Sequence, residues 1–92
     1  MIRSFEDAET QTVFLTGRSR KYPAIARIAE RKLDVLDNAR YLDDLRSPAG
    51  NRLEALKGNR AGQYSIRIND QYRLCFYWKN GEPWEVEIVD YH

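Results

Sequence analysis

The chain has 92 residues, 42% hydrophobic and 32% charged, with a net charge of +1. That length holds one domain, residues 1–92, with a single modest core, and the composition excludes a disordered chain. No apolar run approaches the roughly 18 residues of a membrane span, the opening MIRSFEDAE lacks the apolar stretch of a secretory signal, and one cysteine (Cys75) with one histidine (His92) falls short of a disulfide or a zinc ligand set, so a reducing cytoplasm, no metal and no cofactor are expected.

In chain order, residues 2–5 read as a short edge strand or an unstructured start. Asp7 predicts the cap of a first helix running towards Thr16, with Gly17 as its stop and Val13 and Phe14 on its buried side. The link Arg18-Ser19-Arg20-Lys21-Tyr22 is basic, either a solvated connection or an auxiliary phosphate contact. Pro23 suits the first turn of a second helix that reaches Asp37 or Asn38. Ile25, Ile28, Ala29, Leu33 and Leu36 recur at spacings of three and four and form its apolar stripe, while Arg27, Glu30, Arg31, Lys32 and Asp34 read as a solvated face. Residues 41–46 form a turn that carries Leu42 and Leu45 inward, and Ser47-Pro48-Ala49-Gly50 is a loop. The stretch 51–57 is a strand or an irregular arm, and Gly58 and Gly62 bracket a tight turn.

From residue 63 the pattern alternates with a period of two. Tyr64, Ile66 and Ile68 point one way, and Gln63, Ser65 and Arg67 the other. In the next strand Tyr72, Leu74, Phe76 and Trp78 form the apolar side, opposite Arg73, Cys75 and Tyr77. Asn80-Gly81 is a hairpin signal. In the last strand, 84–91, Trp84, Val86 and Ile88 are expected on the core side and Glu85, Glu87, Val89 and Tyr91 outside. Helices first and an antiparallel meander afterwards define an α+β layer architecture in which the helices cover one sheet face. The other face then presents Arg67, Arg73, Tyr77, Glu87 and Tyr91.

Charge is unevenly placed. Between Arg46 and Arg73 six basic residues face two acidic ones, a balance of +4 that leaves −3 for the rest of a +1 chain. This marks a localised anion site. Arg67 and Arg73 suit a phosphate, although glutamates across the sheet would explain them equally well. Lys57 and Arg60 serve either as phosphate contacts or as solvated turn residues. Tyr64, Tyr72, Trp78 and Trp84 read as packing, and Tyr77 and Tyr91 as stacking candidates. The chain closes on Asp90-Tyr91-His92, a frayed tail or an acid–base group at the sheet rim. Arginines to hold a phosphate and its developing charge, with groups to take and give protons, suit phosphodiester chemistry on RNA. Composition and spacing permit that reading without selecting it.

NRLEALKGNRAGQYSIRINDQYRLCFYW with a terminal VEIVDYH resembles the HigB group of bacterial toxins, within the RelE/ParE superfamily of type II toxin–antitoxin modules; MIRSF and AERKLDVLDNA fit the same group, so the resemblance covers essentially the whole chain. It implies a RelE-like fold, N-terminal helices packed on one face of a small twisted antiparallel sheet. It also implies a metal-independent endoribonuclease that cuts ribosome-bound mRNA in the A site, leaving a 2′,3′-cyclic phosphate and a 5′ hydroxyl. The implied partner is a HigA-like helix-turn-helix antitoxin, through which alone the toxin reaches operator DNA. By this resemblance Arg73 binds the phosphate, His92 is general acid or base, Tyr91 stacks or orients, Asp90 tunes His92, and Lys57 and Arg67 assist. Some relatives carry a second histidine near the position of Glu54, which would here stand in as base or leave that role weaker. Two other readings remain, a ParE-like gyrase inhibitor and a non-enzymatic antitoxin-binding co-repressor.

Overall fold

The computed structural model describes residues 1–91. Two helices, α1 (Ala8–Thr16) and α2 (Ala26–Asn38), precede four strands: β1 (Glu54–Ala55), β2 (Gln63–Arg67), β3 (Tyr72–Lys79) and β4 (Glu82–Asp90). The strands lie in sequence order, each antiparallel to its neighbour. Short 3-10 turns at Leu42–Arg46, Ala49–Asn51 and Gly58–Arg60 occupy the connections.

Local chemistry sets the helix ends. The Asp7 carboxylate accepts the Thr10 amide at 2.7 Å and caps α1. Gly17 ends it in the left-handed region at φ 69°, its amide donating to the Val13 carbonyl at 2.8 Å. A side chain there would also strike Glu30, whose Oε1 would lie 2.5 Å from the added carbon. The second helix starts three residues later than the proline signal predicts. Pro23 lies in a turn closed by the Ile25 amide on the Tyr22 carbonyl (3.2 Å), and α2 begins at Ala26 without a side-chain cap. Its apolar stripe then holds the two layers together: Leu33 and Leu36, fully buried, pack with Val13 of α1 against Ile66, Leu74 and Phe76. Each such side chain contributes about 1.5–3 kcal/mol relative to exposure.

Residues 2–6 lie along the free edge of β4. Arg3 and Glu6 amides donate to the Pro83 and Val86 carbonyls, and the Val86 amide returns a bond to Ser4. On the same edge the buried Thr10 hydroxyl accepts the Ile88 amide at 3.0 Å, a second cover for the strand edge that faces away from β3.

One strand reading is corrected. Trp84 does not face the core. Glu85 adopts φ 52°, and the β3–β4 register shifts there, so that Cys75 pairs with Glu87 but Tyr77 with Trp84. The extra residue reverses the alternation. Pro83 takes the buried position and Trp84 joins Tyr77 on the open face, with the Arg3 guanidinium 5.8 Å from its ring. The strand begins at Glu82 rather than at Trp84. Likewise β2 stops at Arg67, because the Ile68 and Asn69 amides both turn to the Tyr72 carbonyl. No helix among the described residues is long and apolar enough to cross a membrane.

Candidate active site

Register places the chemistry on the face away from the helices. Glu54 pairs with Ser65, Ser65 with Cys75 and Cys75 with Glu87; Arg67 pairs with Arg73 and Arg73 with Val89. Paired residues share a face, so Glu54, Ser65, Arg67 and Arg73 converge at one end of the sheet. The Tyr91 amide donates to the Gln71 carbonyl at 2.6 Å, which brings its ring over the same end. Arg52, Glu54, Arg67, Asn69, Asp70, Arg73 and Tyr91 line a cleft of about 220 Å³.

Arg73 forms its floor and is only 9% exposed. Its Nε donates to the Ser65 hydroxyl at 2.7 Å, and its Nη2 to the Arg52 carbonyl at 2.5 Å and, at 3.4 Å, to the Ser65 carbonyl. Both Arg73 and Ser65 are buried, so these bonds are formed away from competing water. The Glu54 carboxylate stands 3.6 Å from Nη2, an ion pair at the solvent edge. The Tyr91 ring lies 5.9 Å from the guanidinium carbon. Among the described residues nothing accepts a hydrogen bond from Nη1. The guanidinium is thus fixed mainly by neutral groups, which orient it without cancelling its charge. Such an arrangement can receive a tetrahedral anion through a fork of donors.

The model of the HigB-like toxin family, described as the RelE-like toxin of the type II toxin–antitoxin system HigB, matches residues 3–92. The chain belongs to the HigB-like toxin family. Among its relatives, a protein of Proteus vulgaris named Endoribonuclease HigB is 32% identical over 94 residues, the whole of both chains. Toxin HigB-1 of Vibrio cholerae is 57% identical over 51 residues, and an uncharacterized Haemophilus influenzae protein 43% over 56. The matched stretches span about half the length of these last two, 54% and 55%. In solved structures, a chain of the YoeB-YefM complex from Staphylococcus aureus aligns with a TM-score of 0.61 at 20% identity, over 100% of this chain and 95% of that one. At that identity the likeness concerns the fold, an α+β RelE-like one.

Within this HigB-like frame, the structure gathers some expected residues and separates others. Arg73, Arg67, Glu54 and Tyr91 meet in the cleft. Arg67 is ion-paired with the exposed Asp70 three residues on. Lys57 precedes the Gly58–Arg60 turn, is exposed, and is not part of the cleft lining. Arg60 closes the Gly58–Arg60 turn and reaches over the sheet, with Nη1 3.0 Å from Glu87 and 3.1 Å from Gln63. Burial is the largest single effect and opposes its charge, but the hydrogen bond to Glu87 and the charge interactions with Cys75, Glu87 and Tyr91 together raise its pKa. Tyr77 stacks beside Lys79, 5.2 Å from its ammonium. Asp90 pairs in register with Tyr72 rather than with Arg73, and its carboxylate accepts from the Gln71 side chain at 3.1 Å. With Arg60, Val89 and Tyr91 it lines an adjoining groove of about 330 Å³. His92 lies outside the described residues.

Cys75, on the same face, is fully buried, and burial pushes its thiol up to about 11. Among the described residues no group of three His, Cys, Asp or Glu side chains is placed to hold a metal ion. Sequence reasoning missed Ser65, Asn51 and the Arg52 carbonyl. The signal available for Ser65 was its place on the outward phase of β2, one alternation from Arg67; nothing in the pattern distinguishes a backbone carbonyl.

Proposed function

We propose that this chain is the toxin of a type II toxin–antitoxin module and acts in the bacterial cytoplasm as a ribosome-dependent, metal-independent mRNA endonuclease. A HigA-like helix-turn-helix antitoxin neutralises it and carries it to operator DNA. The observation that bears most weight is the Arg73 guanidinium, almost buried and held by neutral ligands on the floor of a cleft walled by Arg52, Arg67 and Tyr91. Family membership and the name of the Proteus vulgaris relative support ribonuclease action, and the YoeB-YefM neighbour supports a protein antitoxin.

In this reading the mRNA phosphate binds the free edge of Arg73, with Arg67 assisting. The substrate 2′ oxygen forms a bond to phosphorus while the bond to the 5′ oxygen breaks, which gives a 2′,3′-cyclic phosphate and a 5′ hydroxyl. Glu54, the carboxylate at the cleft edge, accepts the 2′ proton; His92, tuned by Asp90, returns one to the leaving oxygen. Charge grows on the non-bridging oxygens during this step, and a preoriented guanidinium stabilises it without reorganising. Tyr91 stacks on a base beside the cleft, while Lys57, Arg60 and Tyr77 contact the strand farther along.

Mapping mRNA 5′ ends in a purified translation system tests the reading. Cuts inside ribosome-engaged codons are expected with the parent protein, and none with Arg73→Ala or without ribosomes. Intact message with the parent would overturn it, and a DNA supercoiling assay would then examine gyrase inhibition.

A further inference from the structure

A line of polar contacts, buried at Asn51, runs from the outer side of α2 to the cleft. The Lys32 ammonium donates to the Asn51 side-chain oxygen at 2.5 Å. Asn51 is fully buried, and its amide nitrogen donates to the Leu45 and Ser47 carbonyls at 3.2 and 3.3 Å. All the polar atoms of this side chain are therefore engaged. The next residue, Arg52, is held in the left-handed region at φ 45° and ψ 58°, and its carbonyl accepts from Arg73 Nη2. A non-glycine residue keeps that conformation when its surroundings fix it. Asn51 is the fixed point immediately before it.

We propose that Asn51 is a positioning residue for Arg73, acting through the Arg52 carbonyl, and that Lys32 completes the support from α2. The proposal rests on the reading of Arg73 as the phosphate-binding group. The Arg73 guanidinium has two short hydrogen bonds, the Ser65 hydroxyl on Nε and the Arg52 carbonyl on Nη2, beside the longer Nη2 contacts to the Ser65 carbonyl at 3.4 Å and Glu54 at 3.6 Å. Without the Arg52 carbonyl, only the two longer contacts restrain Nη2, and the group can swing about its Nε bond. Its charge would stay in the cleft while its fork would lose direction. The loss should therefore fall on the reaction rate and spare substrate binding, since misorientation at a reacting group lowers rate far more than affinity.

The test compares the parent, Asn51→Ala and Lys32→Met by two readouts. One is hydrogen exchange of the Arg73 Nε–H in a nitrogen-15 spectrum of the free protein. The other is single-turnover cleavage of ribosome-bound mRNA across toxin concentrations. Asn51→Ala is expected to speed that exchange about tenfold and to slow cleavage about tenfold to a hundredfold at an unchanged half-saturating concentration. Core amide exchange should stay parental. Lys32→Met, at the far end of the line, should give about threefold in both readouts, and it decides the matter if Asn51→Ala does not fold. Parental Arg73 exchange in a folded variant, or a raised half-saturation at an unchanged rate, overturns the proposal. If the parent cleaves nothing, the nuclease reading fails, and the exchange data alone still decide whether Asn51 holds Arg73.

Discussion

Arg73 and Arg60 both lay their guanidinium groups on the open face of the sheet, yet their holds differ in kind. Arg60 is gripped by a carboxylate at 3.0 Å and a side-chain amide. Arg73 is gripped by a hydroxyl and two carbonyls, with its carboxylate standing off at 3.6 Å. Neutral acceptors orient a cation and leave its field intact, whereas a close carboxylate cancels it. The pair therefore separates an arginine whose charge is open to the reacting phosphate from one whose charge is largely matched by Glu87. Arg60 and Glu87 sit beside the buried Cys75, whose thiol sees both charges.

Charge-preserving exchanges test this contrast most directly. Arg73→Lys keeps the charge but loses the planar fork and the Nε bond to Ser65. One lost charge-assisted hydrogen bond of roughly 1.5–3 kcal/mol corresponds to a drop in cleavage of about tenfold to a hundredfold. Arg60→Lys should stay within about threefold of the parent in the same assay. Equal losses in the two variants would erase the distinction.

A smaller effect comes from stripping the second arginine of its role as cover. Cys75 should react slowly with a thiol reagent at about pH 8, because burial keeps it a thiol and out of reach. Arg60→Ala should speed that labelling several-fold and lower stability by about 1 kcal/mol, as Glu87 loses a half-buried partner. Labelling that matches the parent would show that other side chains shield the thiol.

The smallest effect lies away from both arginines and checks that the contrast is local. Glu9 accepts hydrogen bonds from the Ser19 hydroxyl at 2.7 Å and the Lys21 amide at 3.2 Å, and these hold its carboxyl below 4.5. A lowered folded pKa contributes stability above the unfolded value that is lost as pH falls through the folded one. Glu9→Gln should flatten the fall in melting temperature below about pH 4.5 and leave cleavage at neutral pH unchanged. A parental acid limb in Glu9→Gln would assign that loss of stability elsewhere.

Much of the sheet could be read from period-two alternation, which put Ile66, Leu74, Phe76, Val86 and Ile88 on the covered face and Arg67 and Arg73 on the other. Trp84 was misplaced because a bulge at Glu85 is one residue long and leaves no mark in hydrophobicity. The start of α2 was misread because Pro23 fits a turn as well as a first helical position. Lys32 looked like part of a solvated face, since amphipathic patterning counts charge and cannot see a long side chain reaching inward to Asn51. The same limit hid the depth of Arg73. Alternation gives a side, while burial depends on Ser65 and the 51–54 segment folding over it.

The strip along β4 has a kinetic side. Ser4 Oγ accepts the Glu85 amide across a sequence separation of 81, and Thr10 meets Ile88 across 78. Such closures come late and slowly, because much of the chain's freedom is lost before they return any stabilisation. Until they form, β4 is a bare strand edge next to the hairpin that carries Arg73. A newly made chain is therefore most open to capture by a second strand, its own copy or another protein, during the interval before its first residues fold back onto its last strand.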